Sequence, residues 1–281
     1  MDSKGLYDDV SFKVSKLVTR TYSTSFSIAV SFLDKEMQMA IYSIYGFVRS
    51  ADEIVDTFLD HDKAALLDKF ENDYYEAHRI GISLNLILHS FQLTVNRYKI
   101  PDELIRAFLS SMRSDLYKTR YSSKTEMDTY IYGSADVVGL MCLAVFTEGN
   151  SSMYESLKEP AMRLGSAFQK VNFLRDLKND TESLDRQYFP EMRNGVFDDS
   201  IKYKIIADID NDFTSARKGI SELPEKARLA VLIAFYYYKR LVKKIKCTPA
   251  DKLVASRIRI SDTLKLALLL KALIIHKLRM I

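Results

Sequence analysis

The chain has 281 residues, 47% of them hydrophobic and only 9 Gly and 5 Pro, enough to bury a large core without a linker, a low-complexity tract or a fixed-period repeat, and it reads as one domain over residues 1–281. Lys and Arg total 41 against 37 Asp and Glu, a dispersed surplus of +4 that gives no footing to a nucleic-acid reader. Two cysteines are too few for a disulfide framework or a zinc site, and no signal peptide precedes the first helical stretch, so a reducing cytoplasm is the expected setting.

Helical periodicity runs over residues 10–30, and Asp34 is placed to cap a second helix that carries the acidic run DEIVD near its end. Further helices fit 62–78 and 84–98, then one opened by Pro101 with Asp102 and Glu103 in its first turn, where a fixed φ and negative charge are both favoured; it is expected to reach Tyr117. Long helical segments follow over 125–146 and 152–180. The stretch LDRQYFPEMRNGVF, with Pro190 and Gly195, then reads as a loop. Helices resume over 200–223, 224–245 and 262–280, and alternating strand signals are scarce. The expected class is all-α, a helical bundle. In the last segment Lys265, Lys271, His276, Lys277 and Arg279 interrupt the apolar run, so it is too charged to span a membrane and is expected to be a core helix. The alternative is a basic amphipathic helix resting on anionic lipid, peripheral at the inner membrane surface.

Two acidic pairs carry the functional signal. Asp52 and Asp56, and far downstream Asp176 and Asp180, are each four residues apart and so share one helix face. Like charges there repel by a few tenths of a kcal/mol, roughly, a cost that a bound cation reverses. Magnesium suits such oxygen donors, because it is usually held by one or two carboxylates together with substrate phosphates; the ligand indicated is a diphosphate. Arg49, three residues before Asp52, is suited to hold a carboxylate or phosphate oxygen, and IYSIYGFV before it is apolar. Asp60, one step further on, has drifted about 40° around the helix and is left outside the site. Asn172, Asp176 and Asp180 form an i, i+4, i+8 row, preceded by Gln169 and accompanied by Arg175; such a row is costly to bury without a cation or phosphate. Arg186 and Tyr188 in the following loop are within chain reach of a phosphate. The four histidines are scattered without metal-ligand spacing, and no Gly-rich phosphate loop is present.

With those residues in view, the chain resembles the phytoene/squalene synthase family, the head-to-head branch of the isoprenoid synthases, and within it the bacterial phytoene synthases. STSF matches the family's S-x-S-F through Ser23, Ser25 and Phe26; YGFVRSADEIVD matches the first aspartate-rich motif through Tyr45, Arg49, Asp52 and Asp56; and YIYGSADVVGLM contributes Tyr132 and Gly139. The most specific segment, AFQKVNFLRDLKNDTESLDRQYFP, holds the second motif N-x-x-R-D-x-x-x-D and then R-x-Y-x-P, through Gln169, Asn172, Arg175, Asp176, Asp180, Arg186, Tyr188 and Pro190. The late tyrosine maps to Tyr238, or to Tyr237 with a one-residue slip, and RIRIS resembles the late R-x-S segment through Arg259. Asp136 and Asp185 stand where the family commonly has Gly.

The resemblance implies an all-α isoprenoid-synthase bundle around a central cavity, and a reaction that joins two geranylgeranyl diphosphates into phytoene through prephytoene diphosphate. It implies magnesium, or manganese in its place, held by Asp52, Asp56, Asn172, Asp176 and Asp180. By the same resemblance Ser23, Ser25, Phe26, Arg49, Gln169, Asn172, Arg175, Arg186, Tyr188 and Arg259 are expected to bind the prenyl diphosphate substrate, and Tyr45, Tyr132 and Tyr238 to face the cation or the released diphosphate. NADPH is not expected for phytoene synthesis. The close rival is a squalene or dehydrosqualene synthase working on two farnesyl diphosphates; Val30, short and one turn after Phe26, favours the longer substrate if it lines the tunnel. A non-catalytic scaffold relative is disfavoured because all four aspartates are present.

Overall fold

The computed structural model describes residues 3–192 and 195–278. They form thirteen α-helices in chain order: α1 Ser3–Tyr22, α2 Thr24–Val30, α3 Lys35–Asp56, α4 Lys63–Ile80, α5 Leu86–Tyr98, α6 Asp102–Ser114, α7 Lys124–Ile131, α8 Val137–Phe146, α9 Ser151–Glu182, α10 Asp199–Glu222, α11 Glu225–Cys247, α12 Ala250–Ala255 and α13 Asp262–Lys277. A π-helical turn, Tyr132–Asp136, joins α7 to α8, and a short 3-10 turn, Pro190–Met192, lies in the loop after α9. The only β-type pairing among the described residues is an isolated parallel bridge between Arg120 and Gln187.

Local chemistry sets most of these boundaries. Asp34 accepts from the Met37 N–H at 2.9 Å and Asp62 from the Ala65 N–H at 3.0 Å, each cap contributing about 1 kcal/mol. Ser123 accepts from the Glu126 N–H while Glu126 reaches back to the Ser122 N–H, so the start of α7 is held from both directions. Gly81 closes α4 at φ 78, a left-handed conformation that costs glycine nothing.

Four expectations are corrected. The segment 10–30 is two helices, because Ser23 is extended (φ −144, ψ 90) and turns the chain between α1 and α2. The helix begun at Asp102 ends at Ser114, with turns carrying the chain on towards Tyr117. The short α12, opened after Pro249, was not anticipated. The last helix is not a core helix: only Ala272 of α13 is buried, while Leu266, Leu270, Ile274 and Leu278 are 53–61% exposed. Its expected end at Met280 lies outside the described residues.

Two apolar cores organise the packing. The first is built from α3, α4, α5, α6 and α8, with Phe47 stacked on Phe91 at 3.9 Å at its centre. The second gathers the lower half of α9 with α7, α10, α11 and the loop residues Tyr188 and Phe189. Phe32 and Val231 pack against both. The helix α1 covers the first core with an unusual face: Ser11, Ser15 and Thr19 point inward, and Ser15 bonds to Ser90 of α5 at 2.7 Å. These small hydroxyls let α1 lie close to Gly46, where an added Cβ would sit 3.1 Å from Ser15 Oγ. The 124–146 stretch is apolar and long enough to cross a membrane, but more than half of it is buried and it packs against α6 and α9.

Candidate active site

The acidic pair of α3 lies beside the first core and that of α9 on the part of the helix packed in the second, while α9 itself runs through both, with Leu157 in the first and Ala167 to Leu177 in the second. Asp56, the last residue of α3, lies 2.6 Å from Arg186 Nη1. Asp180 of α9 feels the charge of both Asp56 and Arg186. Arg186 is therefore the junction between the two motifs. It is only 5% exposed, and its Nη2 also donates to the backbone carbonyl of Asp115 at 3.2 Å. Burial lowers its affinity for a proton, but Asp115, Tyr188 and Asp56 more than offset that, and it stays charged.

Asp115 is a residue that sequence reasoning missed. It follows α6, is 7% exposed, and accepts from Tyr130 Oη at 2.9 Å with one oxygen while the other is buried without a partner. Burial raises its pKa to about 7, with Arg186 and the Tyr130 hydrogen bond opposing. No periodic signal marks an isolated Asp at the end of a helix, so only the tertiary contacts reveal it.

On α3, Arg49 Nη1 donates to Asp52 at 2.7 Å, its Nη2 pairs with Glu53, and its guanidinium lies over the Tyr22 ring at 4.3 Å. The side chain of Asp52 keeps 35% of its surface to solvent, yet desolvation is the first cause lifting its pKa to about 6, followed by Asp56. Tyr45, two turns before Asp52, stacks with Phe26 at 5.3 Å; burial raises it to about 12, with Asp52 and Tyr238 adding to the rise. The break at Ser23 is what turns α2 so that Phe26 meets Tyr45, and Ser23 also bonds to the Tyr45 hydroxyl. Ser25 is half-buried beside them.

From α9, Asp176 is held by Arg175, whose Nη2 lies at 2.5 Å, and by Arg257, whose Nε lies at 2.6 Å. Arg257 reaches the motif, whereas the Arg259 side chain is exposed and its backbone carbonyl accepts from Lys244. The Ile258 N–H bonded to the Arg175 carbonyl sets Arg257 against the acidic helix. Asp180 has no hydrogen-bond donor or ion-pair partner among the described residues, and burial followed by Asp176 raises it to about 7. Tyr238, not Tyr237, donates to Asn172 Oδ1 at 3.2 Å and stacks on Phe168 at 3.9 Å. Gln169 accepts weakly from the Asn172 amide at 3.5 Å.

Tyr132 sits on the π turn and is 38% exposed. Tyr188 is buried, stacked on Phe173 at 3.8 Å, with its hydroxyl against Arg186. Val30 is 2% exposed within the first core, so its size carries no argument about chain length. Asp185 adopts φ 50, the left-handed conformation that explains a preference for Gly there and that Asp tolerates better than most residues.

Six carboxylates (Asp52, Glu53, Asp56, Asp115, Asp176 and Asp180) surround four guanidiniums (Arg49, Arg175, Arg186 and Arg257), leaving the ionised cluster net negative. Among the described residues no three acidic or histidine groups converge as a ready-made metal cage. A magnesium ion would not require one, since one or two carboxylates from each helix would suffice beside phosphate oxygens and water. Buried Asp56 Oδ1 lies close to Arg186 but off the direction of a hydrogen bond, and Arg49 Nε is unpaired. The donor set fits a divalent cation bound together with an anion.

A sequence profile of the family described as Squalene/phytoene synthase matches residues 19–263. The chain belongs to that family. Similar proteins include phytoene synthase 3, chloroplastic, of Zea mays, 29% identical over 273 residues that cover 91% of this chain and 63% of that one, so the chain spans less than two thirds of this relative's length. The 15-cis-phytoene synthase of Synechocystis sp. is 28% identical over 263 residues, 84% of this chain and 76% of its own. Among solved structures, a dehydrosqualene synthase in complex with ligand superposes with a TM-score of 0.83 at 21% identity, covering 98% of this chain and 99% of that one. Squalene synthase HpnC from Alicyclobacillus acidocaldarius gives 0.75 at 19%, covering 90% and 97%. At such identities these structures establish the shared fold of the squalene/phytoene synthases, which is all-α.

Proposed function

We propose that the protein is a phytoene synthase, a prenyltransferase joining two geranylgeranyl diphosphates head to head through prephytoene diphosphate, with release of two diphosphates. One observation carries the reading: acidic pairs from two helices far apart in the chain meet around a buried arginine, Arg186, an arrangement suited to a diphosphate and its counter-cations. The names of the plant and Synechocystis relatives favour the forty-carbon product.

In this reading Asp52, Asp56, Asp176 and Asp180 hold magnesium, or manganese in its place, which when bound offsets the charge of the departing diphosphate. Arg49 and Arg257 keep 29% and 52% of their side-chain surface exposed, so both are free to turn from carboxylate to phosphate oxygens, while Arg175 and Arg186 donate from fixed positions. The aromatic wall of Phe26, Tyr45, Tyr132 and Tyr238 faces the allylic cation and excludes water from it. Ser23 stays with Tyr45, and Asn172 with Tyr238. No step consumes a reductant, so NADPH is not required.

The test is incubation of the purified protein with magnesium and geranylgeranyl or farnesyl diphosphate, with and without NADPH, reading hydrocarbons by mass spectrometry beside an Asp176→Ala variant. A forty-carbon product absent in the variant is the expected result. A thirty-carbon product alone would reassign the chain to squalene or dehydrosqualene synthesis, and no product from either substrate would sink the enzymatic reading.

A further inference from the structure

The π turn Tyr132–Asp136 is wedged between two helices. Towards α6, a Cβ at Gly133 would fall 2.8 Å from the Ala107 carbonyl; towards α9, a Cβ at Gly165 would fall 2.9 Å from the Ala135 carbonyl and 3.0 Å from Asp136 Cα. Backbone contact of this kind sets how near the turn lies, but not how it is rotated against its neighbours. What ties it to α9 by a side chain is Asp136, which accepts from Ser166 Oγ at 2.8 Å, whereas the Ser134 hydroxyl is buried without a partner among the described residues. An aspartate is a costly choice here. It is 6% exposed, a buried carboxyl with so little hydrogen bonding costs folding free energy, and the family commonly has Gly at this position. Turns of the π type concentrate at functional sites. Tyr132 opens this one, and Tyr130, two residues earlier, donates to Asp115, whose backbone carbonyl accepts from Arg186.

We propose that Asp136 is a positioning residue for the reaction described above, pinning the turn to α9 through Ser166 and so fixing Tyr130 and Tyr132 relative to Gln169 and Asn172 of the same helix. Its part in turnover rests on that reading of the site, whereas the pin rests on geometry alone. The surroundings make the pin sensitive to charge. From α6 the turn meets Ser111 and the Ala107 carbonyl, from α9 it meets Ser166, Lys170 and Arg163, and from α10 Asp212. Both cations are already engaged: Lys170 pairs with Asp212 at 2.7 Å and with Asp208, and Arg163 lies 3.5 Å from Asp212. An ionised Asp136 would be a third carboxylate before two occupied cations. Burial first, with the Ser166 bond opposing and Asp212 adding, holds the Asp136 pKa up to about 7. Below that pH the acid keeps its proton; above it a buried charge faces Asp212, and the turn must draw away from α9 to hydrate it.

The experiment compares the wild type with Asp136→Asn, Asp136→Ala, Ser166→Ala and the double alanine variant. Steady-state kinetics on geranylgeranyl and farnesyl diphosphate are read from about pH 6 to about pH 9, and amide hydrogen exchange of residues 130–138 and 165–172 is read without substrate. Near neutral pH, Asp136→Ala should lower kcat about tenfold with KM within about twofold. Asp136→Asn, which keeps the acceptor, should restore kcat to within about twofold, and the double variant should be no slower than the slower single one. Wild-type kcat should fall about tenfold between about pH 7 and about pH 8.5, a fall that the Asn variant lacks. Exchange at fixed pH should quicken at least about fivefold in both segments of the alanine variants and not in the Asn variant. Ser166→Ala cuts the same bond and serves should Asp136→Ala fail to fold. A lowered thermal midpoint with unchanged kcat would leave Asp136 structural only and overturn the proposal. So would an Asn variant as slow as the Ala variant, an alkaline fall that survives in Asp136→Asn, or unaltered exchange. A wild type inactive on both substrates would remove the role in turnover together with the reaction, and the exchange data would tell that failure from absence of the pin.

Discussion

Arg257→Gln separates two arginines that the sequence presents as equals. In the wild type Arg257 Nε lies 2.6 Å from Asp176 Oδ1, with 52% of the arginine side chain and 21% of the aspartate side chain exposed. A pair that open to solvent contributes less than about 1 kcal/mol to folding, so the thermal midpoint should barely move. The effect on turnover is different in kind. A charge-assisted hydrogen bond to a diphosphate oxygen is worth about 1.5–3 kcal/mol, so kcat/KM for diphosphate release should fall roughly ten- to hundredfold. Arg257→Lys, which keeps the charge but loses the planar fork, should fall between. Arg259→Gln should stay within about twofold of wild type, because the Arg259 side chain has no partner in the site. Coupled diphosphate-release kinetics on the three variants, with thermal melts alongside, provide the measurement. An Arg259→Gln loss equal to or larger than that of Arg257→Gln would refute the assignment.

Two stability predictions follow from the π turn. An alanine Cβ at Gly133 would fall 2.0 Å from Ser111 Oγ and 2.8 Å from the Ala107 carbonyl, so Gly133→Ala should cost about 1–3 kcal/mol in urea unfolding; adding Ser111→Ala should restore only part, since the backbone oxygen remains, and full restoration would show the turn to be more yielding than its packing implies. Asp136 is 6% exposed, accepts from Ser166 at 2.8 Å, and is raised by burial to about 7. Its folded pKa lies above the unfolded 3.8, so its contribution is complete below about pH 4 and is lost as pH rises through about 7. Asp136→Asn removes that titration. Its stability relative to wild type should therefore improve by about 3 kcal/mol between pH 4.5 and 8, and parallel pH curves for the two proteins would contradict the assignment.

Capping chemistry is local, which is why Asp34, Asp62 and Pro101 announced their helices in the sequence. Both aspartate motifs were legible for the same reason: i, i+4 spacing fixes a helix face whatever the tertiary context. The break at Ser23 was not, because neither Gly nor Pro marks it and the serine simply takes an extended backbone. Burial of α13 was misjudged because a long apolar run broken only by Lys265, Lys271, His276 and Lys277 reads as core, and the sequence does not say that its neighbour α11 covers only one side. The Arg257 and Asp115 roles depend on which loop meets which helix, a long-range fact with no periodic trace. The departure at Asp136 was visible as a residue type, while its Ser166 partner, thirty positions away, was not.

Division of the chain into two apolar cores gives the site a mechanical character. Its acidic pairs lie beside different cores, which are joined by α9 and α11, each with buried residues in both, and by side chains such as Phe32 and Val231 that touch both. A ligand touching both pairs would act as a staple across that seam, and its attraction for the two halves would be felt as resistance to their separation. The width of the seam, and with it the grip on a leaving group, is then set by how the halves lean on one another, so substitutions at Phe32 or Val231, remote from any charge, belong among the ways evolution can tune this enzyme.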